Sequence, residues 1–84
     1  MLYNSKTVGQ IIGRLRTERG VSQEVLSGLA GIARSHLSMI ENGSKTANVE
    51  TLWKIANALD MRLSDLIFIV EEHISKYESF TDLE

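Results

Sequence analysis

Between Ser22 and Gly43 the apolar positions form two short helical patterns parted by a glycine. Val25, Leu26 and Leu29 recur at spacings of one, three and four, which predicts one apolar face on a first helix. Ser22 offers a hydroxyl to cap the free amides of its opening turn. Gly31 offers the positive φ with which helices often end, and Ile32 follows as an apolar plug. The second helix is predicted over 34–41, with Leu37 and Ile40 inward and Arg34, Ser35, Ser38, Met39 and Asn42 outward. Asn42-Gly43 closes it with the two residue types that best tolerate left-handed backbone.

The same periodicity places three more helices around this pair. Before it, Val8, Ile11, Ile12 and Leu15 follow the i, i+3, i+4, i+7 rule, predicting a helix from Ser5 or Thr7 to Arg19. Thr7 with Gln10 fits a capping box, Ser5 is a competing cap, and Gly20 ends the helix. Gly9 and Gly13 lie inside it, each costing about 1 kcal/mol of helix propensity relative to alanine. Close packing against another helix is the expected compensation. After the pair, Asn48 caps a helix over 49–59 whose core set is Val49, Leu52, Ile55, Ala56 and Leu59, with Trp53 half-buried beside it. A last helix starts near Leu63 and carries Leu63, Leu66, Ile67, Val70, Ile74 and Tyr77 at helical spacing to about residue 77. Five helices and no strand pattern make the fold class all-α.

Composition narrows the classes. The chain of 84 residues is one small domain, with 43% apolar residues and no cysteine, so neither disulfides nor a cysteine metal site is available. The longest apolar run, Leu66 to Val70, is far short of a membrane span. The opening MLYNSK lacks the form of a secretion signal, and the expected compartment is the cytoplasm. Net charge is −2, but it is unevenly placed. Residues 1–70 hold eight Lys and Arg against six acids, while residues 71–84 hold one Lys against five. Residues 6–45 carry six cations against three acids, a modest footprint that implies few phosphate contacts per chain.

Gln23, Leu26, the small Ser27, Gly31, Ile32, Leu37, Ile40 and the triplet Glu41-Asn42-Gly43 together resemble the helix-turn-helix of the phage repressor and Cro family, the XRE family. The resemblance covers roughly residues 5 to 67. It implies a five-helix, repressor-like DNA-binding domain over 1–70, with residues 71–84 as a helical extension and acidic tail. It implies that the second helix of the pair enters the major groove. Arg34 is then the best base reader, its fork matching guanine O6 and N7. Ser35 and Ser38 meet bases or phosphate, His36 a phosphate, and Met39 a thymine methyl. Asn42, Ser44, Lys45 and Thr46 position the DNA backbone. Gln23 meets a phosphate and braces the first residues of the recognition helix. Arg16 pairs with Glu41, tying the first helix to the end of the third. For each of these the plain alternative is a solvated side chain. Ala33 departs from the family, which prefers a capping serine or threonine there, and Asp60-Met61 replaces its usual Gly-Val turn.

The last helix is apolar over too wide an arc for a solvated monomer. Phe68, Ile69, His73, Ile74 and Tyr77 are therefore the expected homodimer interface, unless the tail folds back on its own domain. Residues 78–84 are expected to fray or to clasp a partner subunit. The predicted function is sequence-specific double-stranded DNA binding by a homodimeric repressor on an inverted repeat. The alternative is a protein-interaction module, antitoxin-like or anti-regulator, acting through the apolar last helix. Ser35, His36 and Glu41 do not make a catalytic triad, because one helix cannot array them against an oxyanion site. No enzyme activity, metal, cofactor or membrane partner is expected.

Overall fold

The computed structural model describes the backbone of residues 2–82 and the side chains of residues 2–76. Five helices follow one another: α1 (Ser5–Glu18), α2 (Gln23–Ala30), α3 (Arg34–Glu41), α4 (Val49–Ala58) and α5 (Leu63–Asp82). Among the described residues there is no strand. α3 packs on α1 and α2, α4 on α2 and α5, and α5 closes back on α1.

Local chemistry sets most helix ends. Ser22 accepts from the Val25 amide and Asn48 from the Thr51 amide, capping α2 and α4. The cap of α1 is Asn4, neither Ser5 nor Thr7. Asn4 is extended at φ −138°, ψ 104°, and its Oδ1 accepts from the Lys6 and Thr7 amides at 3.0 and 3.2 Å. Asparagine caps as well as serine, so the helix starts where the first competent side chain meets extended backbone. Gly31 ends α2 at φ 71°. At the end of α3 the left-handed residue is Gly43 alone, since Asn42 is right-handed at φ −87°, ψ −1°. Asp60 takes φ 57° after α4, the only non-glycine among the described residues to do so.

All four apolar positions predicted for α1 are buried, as are Leu37 and Ile40 of α3 and Leu52, Ile55, Ala56 and Leu59 at α4. Leu66 and Val70 of α5 complete the core. The short α2 is different. Its buried residues are Leu26, Ser27 and Ala30, whereas Val25 and Leu29, predicted to face inward, are exposed, Leu29 at 66%. Residues 26, 27 and 30 share one face of an α-helix, and Val25 and Leu29 lie about 100° around from Leu26 and Ala30, so packing on α3 and α4 through the fully buried Leu26 turns them outward. The Ser27 hydroxyl donates to the Glu24 carbonyl at 3.0 Å, so its burial leaves no polar atom unpaired. In α4, Val49 and Trp53 are also exposed, Trp53 at 57%, because the helix turns only its Leu52–Ile55–Ala56 face to the core.

These placements predict contrasting substitutions. Leu37→Ala, at a fully buried site, is expected to cost about 2–5 kcal/mol. Leu29→Ala is expected to change stability by less than about 1 kcal/mol. Urea denaturation of both variants checks the assignment, and comparable losses would refute it.

α5 continues to Asp82, one to two turns beyond its predicted end. Leu63, Ile67, Ile69 and Ile74 pack partly buried against the core, so the domain itself covers part of the face assigned to a dimer. Phe68 stands 62% exposed, and His73 is half-buried. The side chains of Tyr77, Phe80 and Leu83 lie outside the described residues. Among the described residues no helix is long and apolar enough to cross a membrane.

Candidate nucleic-acid interface

With Leu37 and Ile40 inward, α3 turns Arg34, Ser35 and Met39 to solvent, while His36 and Ser38 are half-buried at the edges. Ala33 precedes the helix in extended backbone and provides no side-chain cap. The opening turn that carries Arg34 and Ser35 therefore keeps its amides free of a side-chain partner on the surface where the two residues project.

The loop after α3 is held on both sides. Asn42 Oδ1 accepts from the Ser44 amide at 2.8 Å, and Ser44 Oγ donates to the Met39 carbonyl at 3.3 Å. The Lys45 amide reaches the same carbonyl at 3.2 Å. Asn42, Ser44, Lys45 and Thr46 are all exposed, and the first two also spend side-chain hydrogen bonds on shaping the turn. Across the loop, a Cβ on Gly43 would stand 2.8 Å from the Lys6 Cα, and Ser5 Oγ donates to the Gly43 carbonyl at 3.4 Å. This contact sets the exposed Lys6 beside the loop. The apolar pattern could not find that cation, because its neighbour is 37 residues away; only its count in the basic stretch marked it.

Behind this face lies a compact ionic network. Arg16 Nε donates to Glu41 Oε2 at 2.8 Å and Nη2 to Oε1 at 3.0 Å, a two-pronged contact, while Nη1 donates to the Val21 carbonyl at 2.9 Å. Side-chain exposure is 18% for Arg16 and 9% for Glu41. The hydrogen bonds to Glu41 hold the Arg16 guanidinium above the ordinary arginine pKa, outweighing the opposing effect of burial. Gly13 makes room for the carboxylate, since a Cβ there would come 3.1 Å from Oε1.

Gln23 joins the same carboxylate. Its Nε2 donates to Glu41 Oε1 at 3.1 Å. The bond reaches the last residue of α3, where the resemblance implied a brace to the first. A carboxylate already anchored within reach is a stronger acceptor than a neutral group, and that decides the partner. One side chain of α3 thereby ties α1, through Arg16, to the first residue of α2.

The surface so built presents an arginine and short hydroxyl residues on one helix, flanked by Lys6, Lys45 and the start of α2. It is an exposed polar face on which Arg34, Lys6 and Lys45 are all open to solvent. Glu41, bound to Arg16 and Gln23, is not available to orient His36. Among the described residues no three histidine, aspartate or glutamate side chains converge on a possible metal position.

Comparison with known proteins agrees with this architecture. Over 67 residues the chain is 34% identical to the HTH-type transcriptional regulator y4dJ of Sinorhizobium fredii, spanning 80% of this chain and 87% of that one. Over 78 residues it is 35% identical to the HTH-type transcriptional regulator SinR of Bacillus subtilis, spanning 92% and 68%. Among solved structures, the restriction-modification controller protein C.AhdI of Aeromonas hydrophila superposes with a TM-score of 0.70 at 36% identity, covering 73% of this chain and 92% of that one. The helix-turn-helix model HTH_3 matches residues 12–66, and the chain belongs to that family, the XRE family of DNA-binding transcription regulators.

Proposed function

We propose that the protein regulates transcription as a homodimer on an inverted-repeat operator in double-stranded DNA, each α3 reading one half-site. The observation that carries this reading is the division of α3: Leu37 and Ile40 are fully sequestered, and Arg34, Ser35 and Met39 are left on a free surface. Arg34 is assigned to a base edge, with Ser35, Ser38 and Met39 beside it and His36 at the rim. Gln23, Asn42, Ser44, Lys45 and Thr46 are assigned to the DNA backbone, and the position of Lys6 adds a further cation to that set. Two copies joined through α5 would place half-sites about 34–36 Å apart, one turn of the duplex. Phe68, with the uncovered parts of Ile69, His73 and Ile74, is the proposed contact, and Tyr77 extends it in sequence. A dimer seated on such an operator would occlude an overlapping promoter, which makes repression the expected sign.

Fluorescence anisotropy with the DNA upstream of the protein's own gene and a scrambled duplex tests the assignment. Arg34→Ala is expected to abolish about 1–3 kcal/mol of discrimination between the two duplexes. Lys45→Ala is expected to weaken both equally and to lower the slope of log K against log salt by about 0.9. Equal affinity of the unaltered protein for both duplexes would remove Arg34 as a base reader.

The exposure of Phe68 also favours a second reading, in which α5 binds a different protein and DNA binding is secondary. Light scattering of the purified chain, followed by the same measurement on Phe68→Ser, separates the two. A dimer that becomes a monomer supports self-association, and a monomer throughout supports a foreign partner.

A further inference from the structure

We infer that Glu41 is a positioning residue for DNA binding: its carboxylate holds one N–H of the Gln23 amide and so presets the other for a backbone phosphate. The inference rests on the proposed role of Gln23 and states how that contact is made ready.

An amide nitrogen carries two hydrogens that diverge in one plane. With one of them on Glu41 Oε1 at 3.1 Å, the second is directed away from the carboxylate. The acceptor also decides which way round the amide sits, because a carboxylate attracts the NH₂ end and repels the carbonyl end. Gln23 is the first residue of α2 and is half-buried, so its amide keeps partial access to solvent at the helix end that carries the opening amides. A freely rotating glutamine would have to be ordered when DNA arrives, at a cost to affinity. Here the ordering is complete beforehand.

Glu41 can serve in this way because it is itself immobile and neutralised. The Arg16 fork occupies both of its oxygens, and Gly13 leaves room for it against α1. An unpaired carboxylate at this place would repel the phosphate that Gln23 is meant to meet. The guanidinium cancels that charge, leaving a neutral pair whose outermost member is a hydrogen-bond donor.

A double-mutant cycle tests the coupling. The probe is a mixed-sequence duplex at low salt, since a phosphate contact needs no particular sequence. Gln23→Ala is measured in the natural protein and in Glu41→Gln, with circular dichroism confirming that every variant is folded at the working temperature. Each comparison is made at constant charge, so the long-range effect of Glu41→Gln cancels. The expected loss from Gln23→Ala is about three- to tenfold in the natural background, the range for one hydrogen bond. In Glu41→Gln the loss is expected to fall below about twofold, as an independent contact would not. Equal losses in both backgrounds overturn the inference and leave Gln23 as a phosphate contact. No loss in either background, or no duplex binding by the natural protein, overturns both.

If Glu41→Gln does not fold, the side-chain amide resonances of the unaltered, DNA-free protein give the answer. Gln10 and Gln23 are its two glutamines, and the exposed Gln10 is the internal reference. A Gln23 amide with one proton shifted downfield and slower exchange with water than Gln10 supports the inference. Indistinguishable behaviour of the two overturns it.

Discussion

Gly9→Ala is expected to lower the stability of this domain by about 2–4 kcal/mol, or about 10–25 °C in melting temperature. Gly9 lies in the middle of α1, where alanine would ordinarily gain about 1 kcal/mol of helix propensity. Here a Cβ would collide with the Ile40 carbonyl oxygen and would stand 2.7 Å from the Glu41 carbonyl oxygen. Both obstacles are backbone, so no rotamer change relieves them. α3 must move away from α1 as a body, and that shift pulls Glu41 from Arg16. Gly28→Ala is the matched control. Gly28 also lies inside a helix, has no positive φ and has nothing within 4 Å of an added Cβ. It is expected to stabilise the protein by about 0.5–1 kcal/mol. Thermal melts by circular dichroism compare the two directly. A Gly9→Ala protein that melts with the natural one would mean that α1 and α3 do not meet this closely.

The second large effect is expected from Glu41→Ala, at about 3–5 kcal/mol, because it strands a partly buried guanidinium and leaves the Gln23 amide without its acceptor. The size comes from breaking one side of the pair. Arg16→Met/Glu41→Leu removes both charges and is expected to melt above either single variant. The pH dependence follows from the raised pKa of Arg16 in the fold. A raised pKa makes the stabilising contribution complete below the unfolded arginine value and removes it only as pH climbs through the higher folded value. A melt series from about pH 7 to 10 is therefore expected to show no alkaline loss from this pair. An unchanged melting temperature in Glu41→Ala would show the pair to be two solvated charges.

Both predictions concern the seam between α1 and α3, and the two halves of that seam differed in legibility. That Gly9 and Gly13 mark a close approach could be read from two glycines four residues apart in a strongly periodic helix. That the approach is to the final carbonyls of α3 could not. The partners of Gly9 are 31 and 32 residues away in the chain, and backbone atoms leave no trace in residue type. The same limit explains the error in α2. Val25 and Leu29 have apolar spacing, yet the contact face is Leu26, Ser27 and Ala30, because the rotation of α2 about its own axis is set by its packing on α3 and α4. Trp53 was misplaced for a related reason. Its neighbours at 52, 55 and 56 saturate the single face that α4 buries.

The sequence by itself determined the number of helices, the bounds of α3, the stops at Gly20, Gly31 and Gly43, and the caps at Ser22 and Asn48. These depend on periodicity, on side chains within one turn, and on backbone angles that only certain residues take readily. The family, too, was legible, since its signature is a local run from Gln23 to Gly43 that needs no knowledge of contacts. The tertiary structure alone decided which apolar residues are buried in α2 and α4, how much of the α5 face the domain keeps for itself, and which acceptor Gln23 finds. Those outcomes depend on the distance between helices and on competition among partners distant in sequence, and such quantities exist only once the chain has folded.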